Sequence, residues 1–122
     1  MTNIMLDLET LGTLSNSVIL TIGAIKFDPE KTISSLEDCN TFYKRIIISS
    51  CKDVGLVSEE STIQWWNSQD VNVRYEAIDN QDRLPLQQVL LEFTKWFGNS
   101  KKIWGHGDDF DCVIMANAYQ AC

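Results

Sequence analysis

The chain has 122 residues, enough for one domain around one core, and its 44% hydrophobic content is ordinary for a globular protein. A formal net charge of −7 argues against broad, non-specific nucleic-acid binding, which needs a basic surface. No apolar run reaches the about 18 residues of a membrane span, no basic-plus-apolar leader opens the chain, and Cys39, Cys51, Cys112 and Cys122 show no C-x-x-C spacing, so a cytoplasmic protein with reduced thiols and no membrane partner is expected.

In chain order, Ile4 to Gly12 (I-M-L-D-L-E-T-L-G) reads as a first strand carrying two carboxylates. Residues i and i+2 share a strand face, so Asp7 and Glu9 point the same way, with Met5 and Leu11 flanking them and Ile4, Leu6 and Leu8 opposite. Two like charges on a core-adjacent strand are costly unless neutralised, and a divalent cation with its preference for oxygen ligands would do so. Gly12, Ser15 and Asn16 mark a turn, and Val18 to Phe27, rich in β-branched residues, is a second strand. Asp28 to Lys31 is another turn and Asn40 to Ile48 a third strand, completing an antiparallel meander. Ser49 to Glu60 reads as a polar loop. S-T-I-Q, with Ser61 at the N-cap and Gln64 three residues on, predicts a capping box opening a helix whose apolar side holds Ile63, Trp66 and Val73. Leu86, Val89, Leu90, Phe93 and Phe97 follow a 3.6-residue period and predict a helix over Leu86 to Phe97, stopped by Gly98. Lys101 to Gly105 is a short strand, and a last helix starts at Asp109 or Phe110 and runs to about Gln120.

The order β-β-β-α-α-β-α, with acids on the first strand and before the last helix, points to an α/β ribonuclease H-like fold. The motifs add a resemblance. D-L-E-T at Asp7 to Thr10 resembles the first motif of the DEDD superfamily of 3′–5′ exonucleases, and W-G-H-G-D-D-F-D, Trp104 to Asp111, resembles the second. S-T-I-Q-W-W-N-S-Q, Ser61 to Gln69, is similar to a helix of the phage DexA-like and Rv2179c-like (exodeoxyribonuclease VIII-like) exonucleases. The resemblance covers essentially residues 1–122 and implies one exonuclease domain releasing nucleoside 5′-monophosphates from a 3′ end of single-stranded DNA or RNA. It implies that Asp7, Glu9 and Asp111 are catalytic and bind two Mg²⁺ or Mn²⁺ ions, and that Thr10, Leu11, Gly12 and Trp66 bind substrate, with Trp65 the alternative to Trp66 for stacking on it.

Relatives continue past the second motif with a strand and helix that supply a final Asp and a general-base His, whereas nothing after Asp111 here is His or Asp. The expectation is a meander plus crossed strand with flanking helices, C-terminally incomplete and lacking the last strand and helix, with impaired exonuclease activity and a homodimer as a candidate assembly. The alternative is an inactive remnant that binds nucleic-acid ends or a protein. His106, Asp108 and Asp109 read as loop or helix-start residues without a catalytic part. Lys44, Arg45, Arg74, Lys101 and Lys102 are candidate phosphate contacts, better read as solvated surface charges.

Overall fold

The computed structural model of the protein describes residues 2–28, 30, 40–105 and 110–122. Strands β1 (Asn3–Thr10), β2 (Ile19–Phe27) and β3 (Asn40–Arg45) form the antiparallel meander, and β4 (Lys102–Gly105) pairs parallel with β1, giving the sheet order β3-β2-β1-β4. Helices α1 (Ile48–Asp53), α2 (Glu60–Asn67), α3 (Val71–Arg74), α4 (Leu86–Phe97) and α5 (Phe110–Ala121) flank this sheet, and a π-helical turn, Tyr75–Asp79, continues α3. The architecture is the ribonuclease H-like α/β fold, with a mixed sheet and flanking helices.

Pleating divides the sheet into two unlike faces. Ile4, Leu6 and Leu8 are buried, and Leu6 is in register with Ala24 and, through it, Phe42. Here α4 seats its periodic apolar face, Phe42 meeting Phe93 edge-on at 5.3 Å between ring centres. Met5 and Asp7 face the other way and are exposed, with Trp104 beside Met5 and Gly23 beside Asp7. Leu11 departs from the expected alternation. The register shifts between Glu9 and Thr10, so Leu11 falls beyond the strand and is buried, its N–H donating to the Val18 carbonyl at 3.0 Å.

Four further expectations are corrected. The segment read as a polar loop contains α1, which ends in a Schellman motif: Leu56 N–H reaches the Cys51 carbonyl at 3.1 Å and Gly55 N–H the Lys52 carbonyl at 3.0 Å, with Gly55 at φ 93°. The third strand stops at Arg45, and Ile46, its N–H still donating to the Leu20 carbonyl at 2.9 Å, forms an isolated bridge with Leu84. Helix α2 begins at Glu60 with Glu59 as its cap residue and no side-chain cap, so Ser61 lies in the first turn and the capping box does not form. Nor does α2 reach Val73, since the chain breaks at Ser68–Asp70 and restarts with Asp70 accepting from the Asn72 N–H at 3.4 Å. Among the described residues no helix is long and apolar enough to cross a membrane.

Candidate active site

The two-residue spacing of Asp7 and Glu9 puts both on the open face of β1, one of the two inner strands. Asp7 is exposed opposite Gly23, whereas Glu9 is half-buried opposite Thr21. Asp111 arrives from the first turn of α5, which packs on β1 and β4, and is 7% exposed. A carboxylate in a first turn faces the positive end of the helix dipole, which favours its charge there. Burial raises the Glu9 carboxyl above its ordinary value, and the charges of Asp7 and then Asp111 raise it further. All three acids therefore act on one neighbourhood. No group of three His, Cys, Asp or Glu side chains among the described residues is nonetheless arranged to hold a metal ion. The donors are all carboxylate oxygens, the chemistry that Mg²⁺ and Mn²⁺ take.

Beside Glu9 a cleft of about 450 Å³ is walled by the end of β1 and the loop after it (Thr10, Gly12, Thr13), by α2 (Ser61, Thr62, Trp65, Trp66) and by Phe110. Trp66 is 5% exposed and its indole N–H donates to the Thr10 carbonyl at 2.9 Å, tying the strand end to α2. Trp65, 55% exposed, meets Trp66 edge-on at 4.8 Å and turns its ring to the cleft edge. Thr10 Oγ1 closes onto the Gly12 carbonyl at 2.8 Å. Gly12 has no room for a side chain, since a Cβ there would stand 2.6 Å from Ser17 Oγ. Thus Thr10, Gly12 and Trp66 share the cleft with Glu9, whereas Leu11 packs in the core and is not among its lining residues.

On the other side of Glu9 and Trp66 lies a second, mainly apolar cavity of about 360 Å³, closed by Tyr43, Asn72, Val73, Glu76 and Ala77. Glu76 fixes the π-helical turn over β3 by pairing with Arg45 and accepting from the Tyr43 hydroxyl at 3.1 Å. Its carboxyl is held below the ordinary range by Arg45 first and Tyr43 second. Sequence patterning missed this wall because α3 and the π-helical turn follow no long amphipathic period. Of the basic candidates, Arg45 and Arg74 are paired with Glu76 and Asp79, and Lys102 lies over the Trp104 ring at 3.9 Å. Sequence reading also missed Glu59 and Thr13, whose side chains meet although 46 residues separate them. His106, Asp108 and Asp109 lie outside the described residues.

Comparison with known proteins places these features in a family. Two crystal structures of the E. coli ExoI–ssDNA complex, one zinc-bound and one metal-free, superpose with TM-scores of 0.62 and 0.61, each at 18% identity and over 98% of this chain. At that identity the likeness is one of fold. The chain spans 23% of the length of either ExoI chain. No curated protein matches it. The model of the "3′-5′ exoribonuclease Rv2179c-like domain" family matches residues 2–122, and the chain belongs to that family, within the DEDD exonuclease superfamily.

Proposed function

We propose that residues 1–122 act as a metal-dependent 3′–5′ exonuclease domain that hydrolyses phosphodiester bonds at the 3′ end of single-stranded DNA or RNA and releases nucleoside 5′-monophosphates. The observation that carries this reading is Glu9, a carboxylate raised by burial first and by Asp7 and Asp111 after it, at the mouth of an aromatic-walled cleft. Family membership supports the reaction class. Asp7, Glu9 and Asp111 would hold Mg²⁺ or Mn²⁺, which when bound stabilises the attacking and leaving oxygens of a phosphodiester. The chain's own residues do the rest. Thr10 and Gly12 form a wall against which the terminal nucleotide lies, Gly12 letting the loop pack tightly against Ser17 and Glu59 behind that wall. Trp65 offers the exposed ring for base stacking, while Trp66 holds the wall in place. Glu9, with its raised proton affinity, is the side chain best placed to hold a water that attacks.

A second reading, an inactive module that binds nucleic-acid ends or a protein, rests on composition. Residues 112–122 contain neither His nor Asp, so these 122 residues carry three of the four acids that give the superfamily its name. The deciding experiment follows a 3′-labelled oligonucleotide with Mg²⁺ or Mn²⁺. Mononucleotide release that disappears in Asp7→Ala supports the exonuclease reading. Release that persists in that variant removes the site assignment. Metal-dependent end binding without release favours the binding module.

A further inference from the structure

The loop after β1 and the start of α2 are the two walls of the cleft, and one side chain joins them. Glu59 immediately precedes α2, and its carboxylate accepts from both the backbone N–H and the hydroxyl of Thr13, the latter at 2.9 Å. Its own backbone N–H donates to the Leu11 carbonyl at 2.8 Å, so backbone and side chain of one residue grip the loop at two points. Between those points Gly12 is packed tightly: a Cβ would lie 3.0 Å from Glu59 Oε1. The far end of the loop is pinned separately by Ser17 Oγ, which accepts from Leu14 N–H at 3.1 Å and donates to the Leu14 carbonyl at 2.6 Å. Trp66 fixes the near end through Thr10. Thr13 is thus the stretch of wall whose only described side-chain anchor is Glu59.

We propose that Glu59 is a positioning residue for this cleft, holding Thr13 so that the wall is preformed for the terminal nucleotide. The inference rests on the nucleotide-end reading above. Glu59 is not among the side chains lining the cleft and acts through the loop. Two considerations separate positioning from a direct ligand role. A carboxylate beside a polyanion's site repels the ligand, so its presence is explained by the two donors it satisfies rather than by contact with phosphate. Preorganisation also improves binding by removing the ordering penalty of a loop, without adding a contact. Glutamine offers the same carbonyl-type acceptor without the charge, so it should keep the tether.

The test uses the 122-residue protein with Mn²⁺ and adenosine 5′-monophosphate, measured by calorimetry, together with amide hydrogen exchange at Thr13. Glu59→Ala is expected to weaken nucleotide binding about tenfold and to speed Thr13 exchange by at least about tenfold, the loss of two hydrogen bonds to a charged group. Thr13→Val, which removes one donor and keeps the backbone bond, is expected to fall between. Glu59→Gln is expected to stay within about twofold of the wild type in both readouts. Nucleotide affinity unchanged in a folded Glu59→Ala overturns the inference, and so does a Glu59→Gln as weak as the alanine. Unchanged Thr13 exchange overturns the tether itself. A wild type that binds no nucleotide with Mn²⁺ overturns the functional reading, and is told apart because the exchange arm is read without ligand.

Discussion

Glu9 is where burial and charge compete most openly. Its carboxyl sits above the ordinary 4.5, burial leading and the charges of Asp7 and Asp111 following. A raised carboxyl favours the protonated folded state, so the group stabilises the fold fully below its unfolded value and loses that contribution as pH climbs through the folded one. In metal-free protein, urea midpoints of the wild type should therefore decline as pH rises above about 4.5. Glu9→Gln should flatten that decline and be the more stable protein at neutral pH. Parallel profiles for the two proteins would remove the Glu9 account. Cys51 is the converse case, a group silenced by its surroundings. It is fully buried, donates to the Ile19 carbonyl at 3.6 Å, and burial pushes its thiol up to about 11. At pH 8 iodoacetamide should label the exposed Cys122 before Cys51, which stays untouched until the protein unfolds. Peptide mass spectrometry reads this directly, and early Cys51 labelling would contradict it.

The elements differ in how much their own sequence specifies them. Helix α4 follows its apolar period from Leu86 to Phe97, and both ends coincide with the pattern because four of its residues are buried on one face. Helix α1 has no such stripe, and its local signal is only Gly55, the residue that adopts φ 93° without a Cβ penalty. Gly55→Ala should lower stability by about 1 kcal/mol. The π-helical turn depends on a residue that follows it closely in the chain. Arg83 donates to the carbonyls of Asn80 (2.9 Å), Leu20 (3.1 Å), Ile46 (2.9 Å) and Ala77, joining the turn to the start of β2 and the segment after β3. Arg83→Ala leaves those carbonyls without this donor and should cost about 2–4 kcal/mol in urea unfolding. Lysine should not rescue it, since a point-like ammonium cannot span four acceptors. A loss under about 0.5 kcal/mol would mean that water replaces the guanidinium.

For the molecule as a whole, a net charge of −7 opposes a polyanionic ligand unless cations intervene. Divalent metal should therefore act on stability as well as on binding. At about a hundredfold excess over its Kd, Mn²⁺ should stabilise the wild type by about 2.7 kcal/mol, seen as a raised Tm. Asp7→Ala should fold, show no such increment, and melt no lower than metal-free wild type, because removing one of three like charges relieves repulsion. An equal Mn²⁺ increment in the variant would place the cation elsewhere.

Chain order, the β1 alternation and the D-L-E-T and F-D motifs together determined the ribonuclease H-like fold and the candidate acids, because these signals are local. A strand's two-residue period fixes which side chains share a face, and a helix's 3.6-residue period fixes what it buries. Local pattern also failed at definite residues. Ser61 has the composition of a cap, yet Glu59 occupies that position because its backbone N–H is held by Leu11 and its side chain by Thr13, partners that only folding brings near. Leu11 alternates with Glu9 in sequence, yet the register shift at Thr10 sends it inward. Trp65 and Trp66 are equal in sequence, and tertiary packing made one a buried tether and the other an exposed ring. The second cavity beside Glu9 likewise exists only because Arg83, Arg45 and Glu76 draw the π-helical turn onto the sheet. Sequence periodicity carries the distribution of apolar side chains, whereas these features arise from single polar contacts between residues tens of positions apart, which no local pattern encodes.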